Sequence, residues 1–247
     1  MYSTDLQISL FAALDIILLW ITEIITTCDK FSEDLDFSLL QTTENFALEN
    51  YFDAIITEFR SLGREVVITR KEKKTQTNVE SAFLKDNTEI YNLSFSTEKQ
   101  IKIKIEVDTQ PPIGFLTEYK LLLLPFSFMV RCYTLSDLYA GKMHALLFRN
   151  WKTRVKGRDW YDFEWYVRNN IALNFNHLQK RAAQINRLSE QDFTPEVFKK
   201  ILKERIEKTN IEAVINDVRP FLKNSSEMDI WRTEYFLQLV DMINFAK

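Results

Sequence analysis

The chain has 247 residues, 46% hydrophobic and 13% aromatic, which excludes global disorder and leaves apolar material for one large domain or two small ones. Its net charge of −3 excludes a general polyanion-binding field, so any contact with nucleic acid has to be local. Cys28 and Cys132 have no metal-type spacing and fit a reducing, cytoplasmic compartment, while His144 and His177, the only histidines, give poor support to a histidine metal site or a Ser-His-Asp triad.

Residues 5–27 are apolar with little amphipathic contrast, which predicts a helix covered on most sides. Asp15 and Glu23 bracket an uncharged run too short for a bilayer, and no basic residue precedes it as in a signal peptide. At residues 31–39, FSEDLDFSL, the period changes to two. Leu35, Phe37 and Leu39 alternate with Asp34, Asp36 and Ser38, which describes a strand with one greasy face and one acidic face. Neighbouring carboxylates on one strand repel unless water or a divalent cation relieves them, so the pair points to Mg²⁺ or Mn²⁺. The plain alternative is a pair of turn-forming aspartates at a strand end.

Residues 44–62 predict an amphipathic helix with Leu48, Phe52, Ile55, Phe59 and Leu62 on one stripe and Gly63 as its stop. A strand is expected at 65–69, a polar loop at 71–78, and a hairpin from 82–84 and 90–95. Residues 101–108, IKIKIEVD, form the clearest strand pattern, with isoleucines and Val107 inward and Lys102, Lys104, Glu106 and Asp108 outward. If this strand neighbours the Asp-x-Asp strand, Glu106 or Asp108 adds a third carboxylate; otherwise they are ordinary exposed charges. A last strand is expected at 126–130.

Residues 137–166 read as a helix, a basic loop and a second helix. Thr134 is a suitable N-cap, and Lys142 and Arg149 share one face of the first helix. Gly141 removes a side chain beside Lys142 and could admit another backbone or a ligand. The loop carries Lys152, Arg154, Lys156 and Arg158, and a helix opening at Asp159 places Asp159, Asp162 and Tyr166 on one face. Arg158 and Asp162 also form an i, i+4 pair of the sort that is worth only ~0.2–0.5 kcal/mol on a solvated face. His144 lies on an apolar helix and reads as structural. From residue 171 the chain is expected to be helical, with helices at 195–208 behind Thr194-Pro195, at 211–218, and at 231–245 with Tyr235, Leu239 and Met242 on a stripe.

FSEDLDFSL, then DLYAGKMHALLFR, then KGRDWYDFEWY resembles the AbiEii/AbiGii-type nucleotidyltransferases, toxins of type IV toxin–antitoxin and phage-defence systems. The resemblance implies an α+β fold: a polymerase-β-like nucleotidyltransferase core over 1–133, with residues 1–30 atypical, and an α-helical C-terminal part over 134–247. It implies a nucleoside triphosphate with Mg²⁺ or Mn²⁺ as substrate, a tRNA acceptor end and an antitoxin as genetic partner, while the short apolar run near the N-terminus predicts no membrane association. Carried over by position, Asp34 and Asp36 match the metal pair, joined by Glu106 or Asp108. Lys142 matches the triphosphate lysine, and Asp159, completed by Asp162, matches the later acidic position. Ser32, Arg149 and Arg158 join them as substrate-binding residues.

The family also places a glycine pair and a small hydroxyl residue shortly before the Asp-x-Asp, where backbone N–H groups hold phosphate. Residues 17–30 contain no glycine. Either the turn is lost, or the N-terminal sequence departs from the ancestral reading frame. The residues thus leave three readings: a Mg²⁺-dependent nucleotidyltransferase, a degenerate nucleotide- or RNA-binding relative, and a two-metal nuclease.

Overall fold

The structure is a computed structural model describing residues 16–18, 34–42, 46–61, 63–70, 88–95, 102–111, 114–123, 127–149, 155–222 and 225–246. The chain divides into two compact units. The first takes residues up to Pro111 together with Thr117–Cys132; the second takes Pro112–Leu116 and Tyr133–Lys247.

The first unit is built on a seven-stranded mixed sheet. Its strands are β1 (Ile16–Leu18), β2 (Asp34–Leu39), β3 (Val66–Arg70), β4 (Thr88–Phe95), β5 (Lys102–Asp108), β6 (Thr117–Leu122) and β7 (Phe128–Tyr133), in the spatial order β3-β4-β5-β2-β1-β7-β6. β2 runs parallel to β5 and antiparallel to β1, while β4 is antiparallel to both β3 and β5. The alternation read from the sequence decides which residues go inward. Phe37, Leu39, Val66, Ile68, Ile105, Val107, Val130 and Cys132 form one buried cluster with Leu48.

Helix α1 (Phe52–Ser61) covers that cluster with Phe52, Ile55, Ile56 and Phe59, the stripe its spacing predicts. A single 3-10 turn, Leu48–Tyr51, precedes it, so the α-helix starts later than residue 44. Gly63, at φ +70°, ends it: its N–H bonds Arg60 O at 2.9 Å and Arg64 N–H bonds Phe59 O at 2.9 Å, which satisfies the last carbonyls through a left-handed turn.

Several expectations for this unit need correction. Of residues 5–27 only 16–18 are described, and they form a strand between β2 and β7 instead of a helix. A continuous apolar run suits a strand flanked on both sides as well as a buried helix, and periodicity cannot separate the two. The last strand lies at 128–133, later than expected, and β6 was not anticipated. Residues 82–84 lie outside the described residues; β4 pairs instead with β3 and β5.

The second unit is helical: α2 (Leu135–Phe148), α3 (Gly157–Arg168), α4 (Phe175–Asn186), α5 (Pro195–Glu207), α6 (Ile211–Val218) and α7 (Thr233–Asp241). Thr134, Asn174, Thr194 and Asn210 each accept a backbone N–H at a helix start, and Pro195 takes the first helical turn, where its missing donor costs nothing. α2 packs on α3 and α4, α3 on α6, and α5 on α7, around fully buried Phe163, Leu178, Phe198, Leu202 and Phe236. α3 opens at Gly157, two residues before the expected start. α7 stops at Asp241 instead of 245, because Phe245 leaves helical geometry to bridge Leu173, and Met242 is 60% exposed. No helix among the described residues is long and apolar enough to cross a membrane.

Candidate functional site

In the sheet unit, the parallel register between β2 and β5 sets the carboxylates. Asp36 pairs with Glu106, Asp34 with Lys104, and Ser38 with Asp108. Directly paired residues share a face, so Asp36 and Glu106, both part-buried, stand side by side across two strands. Asp108 is used locally, its Oδ1 accepting the Gln110 N–H at 3.0 Å in a turn that closes the strand. Ser38, fully buried, donates to Leu39 O at 3.1 Å. Ser32 and the side chain of Asp34 lie outside the described residues. Among the described residues no group of three or more His, Cys, Asp or Glu is arranged to hold a metal ion. The donor set nonetheless suits one: hard carboxylate oxygens from adjoining strands are what Mg²⁺ takes, and repulsion between them is what a cation relieves.

The helical unit carries the second cluster. The N-terminus of α2 is fixed by a knot around Asp137, which accepts from Leu116 N–H at 3.2 Å, Asn174 Nδ2 at 2.8 Å and the Thr134 hydroxyl. Burial pushes its carboxyl up from the usual range, and those hydrogen bonds oppose the shift. With α2 so held, Lys142 projects into the protein at 8% exposure. Its Nζ lies 2.5 Å from Asp162 Oδ2 and 3.5 Å from Asp159 Oδ1. Arg149, at the end of α2, reaches Asp159 Oδ2 at 3.7 Å, and Arg205 holds the Arg149 carbonyl at 3.0 Å. The spacing expected from the sequence therefore brings Lys142, Arg149, Asp159 and Asp162 together.

Lys156 joins them. Burial, and then the charges of Arg149, Lys142 and Arg158, lower its pKa to about 8 against the opposing pull of Asp159. Lys142 and Arg149 pair with Asp159 and Asp162, and Lys156 and Arg158 add positive charge within electrostatic range, an excess of cations over these two carboxylates. Such an excess is stabilised by an anion with several charges, of which a polyphosphate is one. Lys152 and Arg154 lie outside the described residues.

The start of α3 is set by close packing. Gly157 N–H bonds Asp217 Oδ2 on α6 at 2.9 Å, and a Cβ at this position would stand 2.5 Å from Val214 O and 2.7 Å from Val218 Cγ2. Only glycine lets the two helices approach this closely. Gly141 differs, since a Cβ there would meet nothing within 4 Å, so open space lies beside Lys142 on α2. Tyr166 stacks on Tyr139 with ring centroids 4.5 Å apart at 10°, tying α3 to α2 as a buried pair instead of lining the cluster. His144 bonds Asn186 Oδ1 at 2.8 Å, and burial drives its pKa down to about 3, which keeps the ring neutral.

One buried group escaped sequence reading. Glu164, 7% exposed, accepts from Trp231 Nε1 at 3.0 Å and from Tyr235 OH at 2.6 Å, anchoring α3 to the start of α7. The available signal was a charge inside the apolar stripe Trp160, Phe163, Val167, which requires a buried partner.

No curated protein matches the sequence. The crystal structure of JHP933 from Helicobacter pylori is similar at 15% identity and a TM-score of 0.50, covering 97% of this chain and 87% of that one. MenT4, a nucleotidyltransferase toxin of Mycobacterium tuberculosis, is similar at 12% identity and a TM-score of 0.38, covering 96% and 93%. The family model for the AbiEii nucleotidyl transferase toxin of type IV toxin–antitoxin systems matches residues 29–241. The α+β fold and this match, which spans most of the chain, agree: the chain belongs to the AbiEii family of nucleotidyl transferase toxins.

Proposed function

We propose that the protein transfers a nucleotide from a nucleoside triphosphate to an RNA acceptor, a tRNA end, with a divalent metal, as the toxin half of a toxin–antitoxin pair. The single observation that carries this reading is the register of β2 on β5, which sets Asp36 beside Glu106. In this reading Asp34, Asp36 and Glu106 hold Mg²⁺ or Mn²⁺. Asp108 serves the strand end, where its carboxylate closes a turn. The ion, when bound, supplies neutralising charge at the transferred phosphate and acidifies the attacking hydroxyl.

Lys142, Arg149 and Lys156 bind the β- and γ-phosphates and offset the charge that builds on them as pyrophosphate leaves. Asp159 and Asp162 keep the Lys142 ammonium in one orientation, which avoids reorganisation during the step. Ser32 and Arg158 complete substrate binding. The absence of glycine from residues 17–30 favours one second reading, a degenerate relative that binds triphosphate without turning it over. Purified protein is incubated with Mg²⁺, each labelled triphosphate in turn, and total tRNA. Label on the tRNA that disappears in a folded Asp36→Ala chain supports transfer. Undiminished transfer by that variant removes Asp36 from the mechanism, and binding without transfer leaves the degenerate relative.

A further inference from the structure

Every described aromatic ring of the helical unit is buried or half-buried except one. Phe221 is 41% exposed. It ends a 3-10 turn, Arg219–Phe221, that follows α6 directly and contains Pro220. The helix that the turn follows is tied to the start of α3. Asp217, four residues before Phe221, accepts the Gly157 N–H at 2.9 Å, and the Val214 carbonyl packs where a Gly157 side chain would be. The Arg158 guanidinium carbon lies 5.3 Å from the centre of the Phe221 ring. Arg158 precedes Asp159, and its charge acts on Lys156, so the ring and guanidinium stand at the margin of the Lys142 cation cluster.

At 41% exposure the Phe221 ring leaves part of its surface open to a planar apolar group, whose burial against it would be favourable. A guanidinium against a ring forms a flat, cationic stacking pair, and this is the chemistry that takes a nucleobase without regard to its identity. Phosphates attached to that base would lie within the field of Lys156, Arg149 and Lys142.

We propose that Phe221 and Arg158 form a stacking platform for a substrate nucleobase, beside the cation cluster that takes its phosphates. The proposal rests on the polyphosphate reading of that cluster. The base belongs either to the triphosphate donor or to the single-stranded RNA acceptor, and the two are separable.

The full-length chain is tested for binding of inorganic tripolyphosphate and of each nucleoside triphosphate with Mg²⁺, and for the KM of tRNA in the transfer reaction, alongside Phe221→Ala, Phe221→Leu and Phe221→Trp. Leu keeps apolar volume without a π-face, and it serves should the Ala chain fold poorly. Loss of one stacked base weakens binding roughly tenfold. If the base is the donor's, Ala and Leu weaken triphosphate binding by that factor, leave tripolyphosphate unchanged, and Trp restores it. If it is the acceptor's, the same variants raise the KM for tRNA and leave triphosphate binding unchanged. Triphosphate affinity and tRNA KM both within about twofold of the parent in folded Ala and Leu chains overturn the platform. A parent chain that binds neither tripolyphosphate nor triphosphate overturns the cluster reading itself, which is a different failure.

Discussion

Replacing Lys142 by Met tests the polar cluster most sharply, because Met keeps the length and apolar stem while deleting only the charge. The ammonium pairs with Asp159, whose side chain is 4% exposed, at 3.5 Å and with Asp162, 14% exposed, at 2.5 Å. A unit-charge pair at 3.5 Å is worth about 5 kcal/mol gross at an effective dielectric of about 20, before desolvation is subtracted. Removing one partner of a buried pair and leaving the other charge unpaired costs about 3–5 kcal/mol. Arg149 remains 3.7 Å from Asp159, but its side chain is 44% exposed and it compensates only partly. The expected loss is therefore about 3 kcal/mol. Urea unfolding followed by tryptophan fluorescence measures it, since Trp160, Trp165 and Trp231 all lie in the helical unit. Adding Asp159→Asn and Asp162→Asn to Lys142→Met removes the stranded charges and should recover most of the loss. A single-variant loss below about 1 kcal/mol, or no recovery in the triple variant, refutes the reasoning from burial and charge.

Gly157→Ala places a Cβ 2.5 Å from the Val214 carbonyl and should cost about 2–3 kcal/mol, whereas Gly141→Ala meets open space and should stabilise by ~0.5–1 kcal/mol; paired thermal melts check the opposite signs. Burial lowers Lys156 from 10.5 to about 8, so the folded chain gives up this proton more readily than the unfolded one. Its unfavourable contribution is fully present below about pH 8 and fades as pH rises towards about 10.5. Lys156→Met should therefore stabilise the protein at neutral pH and lose that advantage in alkali, as read from urea midpoints; a pH-independent difference contradicts the assignment. Glu164→Leu leaves Trp231 Nε1 and Tyr235 OH without their acceptor and should cost about 2–4 kcal/mol, with Glu164→Gln milder, both read from denaturation midpoints.

What the sequence made legible follows the range of the interaction. Residues 101–108 alternate cleanly because one face of β5 is core and the other carries charge, and the strand lies at Lys102–Asp108. Lys142, Asp159 and Asp162 could be grouped from helical spacing because they sit on consecutive helices within about two dozen residues. β6 was invisible for a physical reason. Its alternation is inverted, with Tyr119 and Leu121 65% and 55% exposed while Glu118 and Lys120 are half-buried, so the apolar side does not mark the core. β1 hid because apolar residues at every position suit a central strand and a buried helix alike. The pairing of Asp36 with Glu106, and of Glu164 with Trp231 and Tyr235, spans some seventy residues of chain, and no local pattern encodes which distant partner is met.

The most direct test of nucleotidyl transfer compares triphosphate labelled at the α-phosphate with triphosphate labelled at the γ-phosphate, in the presence of Mg²⁺ and tRNA. The account predicts that the α label becomes attached to the RNA while the γ label leaves as pyrophosphate, and that Asp36→Asn abolishes both. RNA shortened without any triphosphate, or γ label appearing on the RNA, would contradict it.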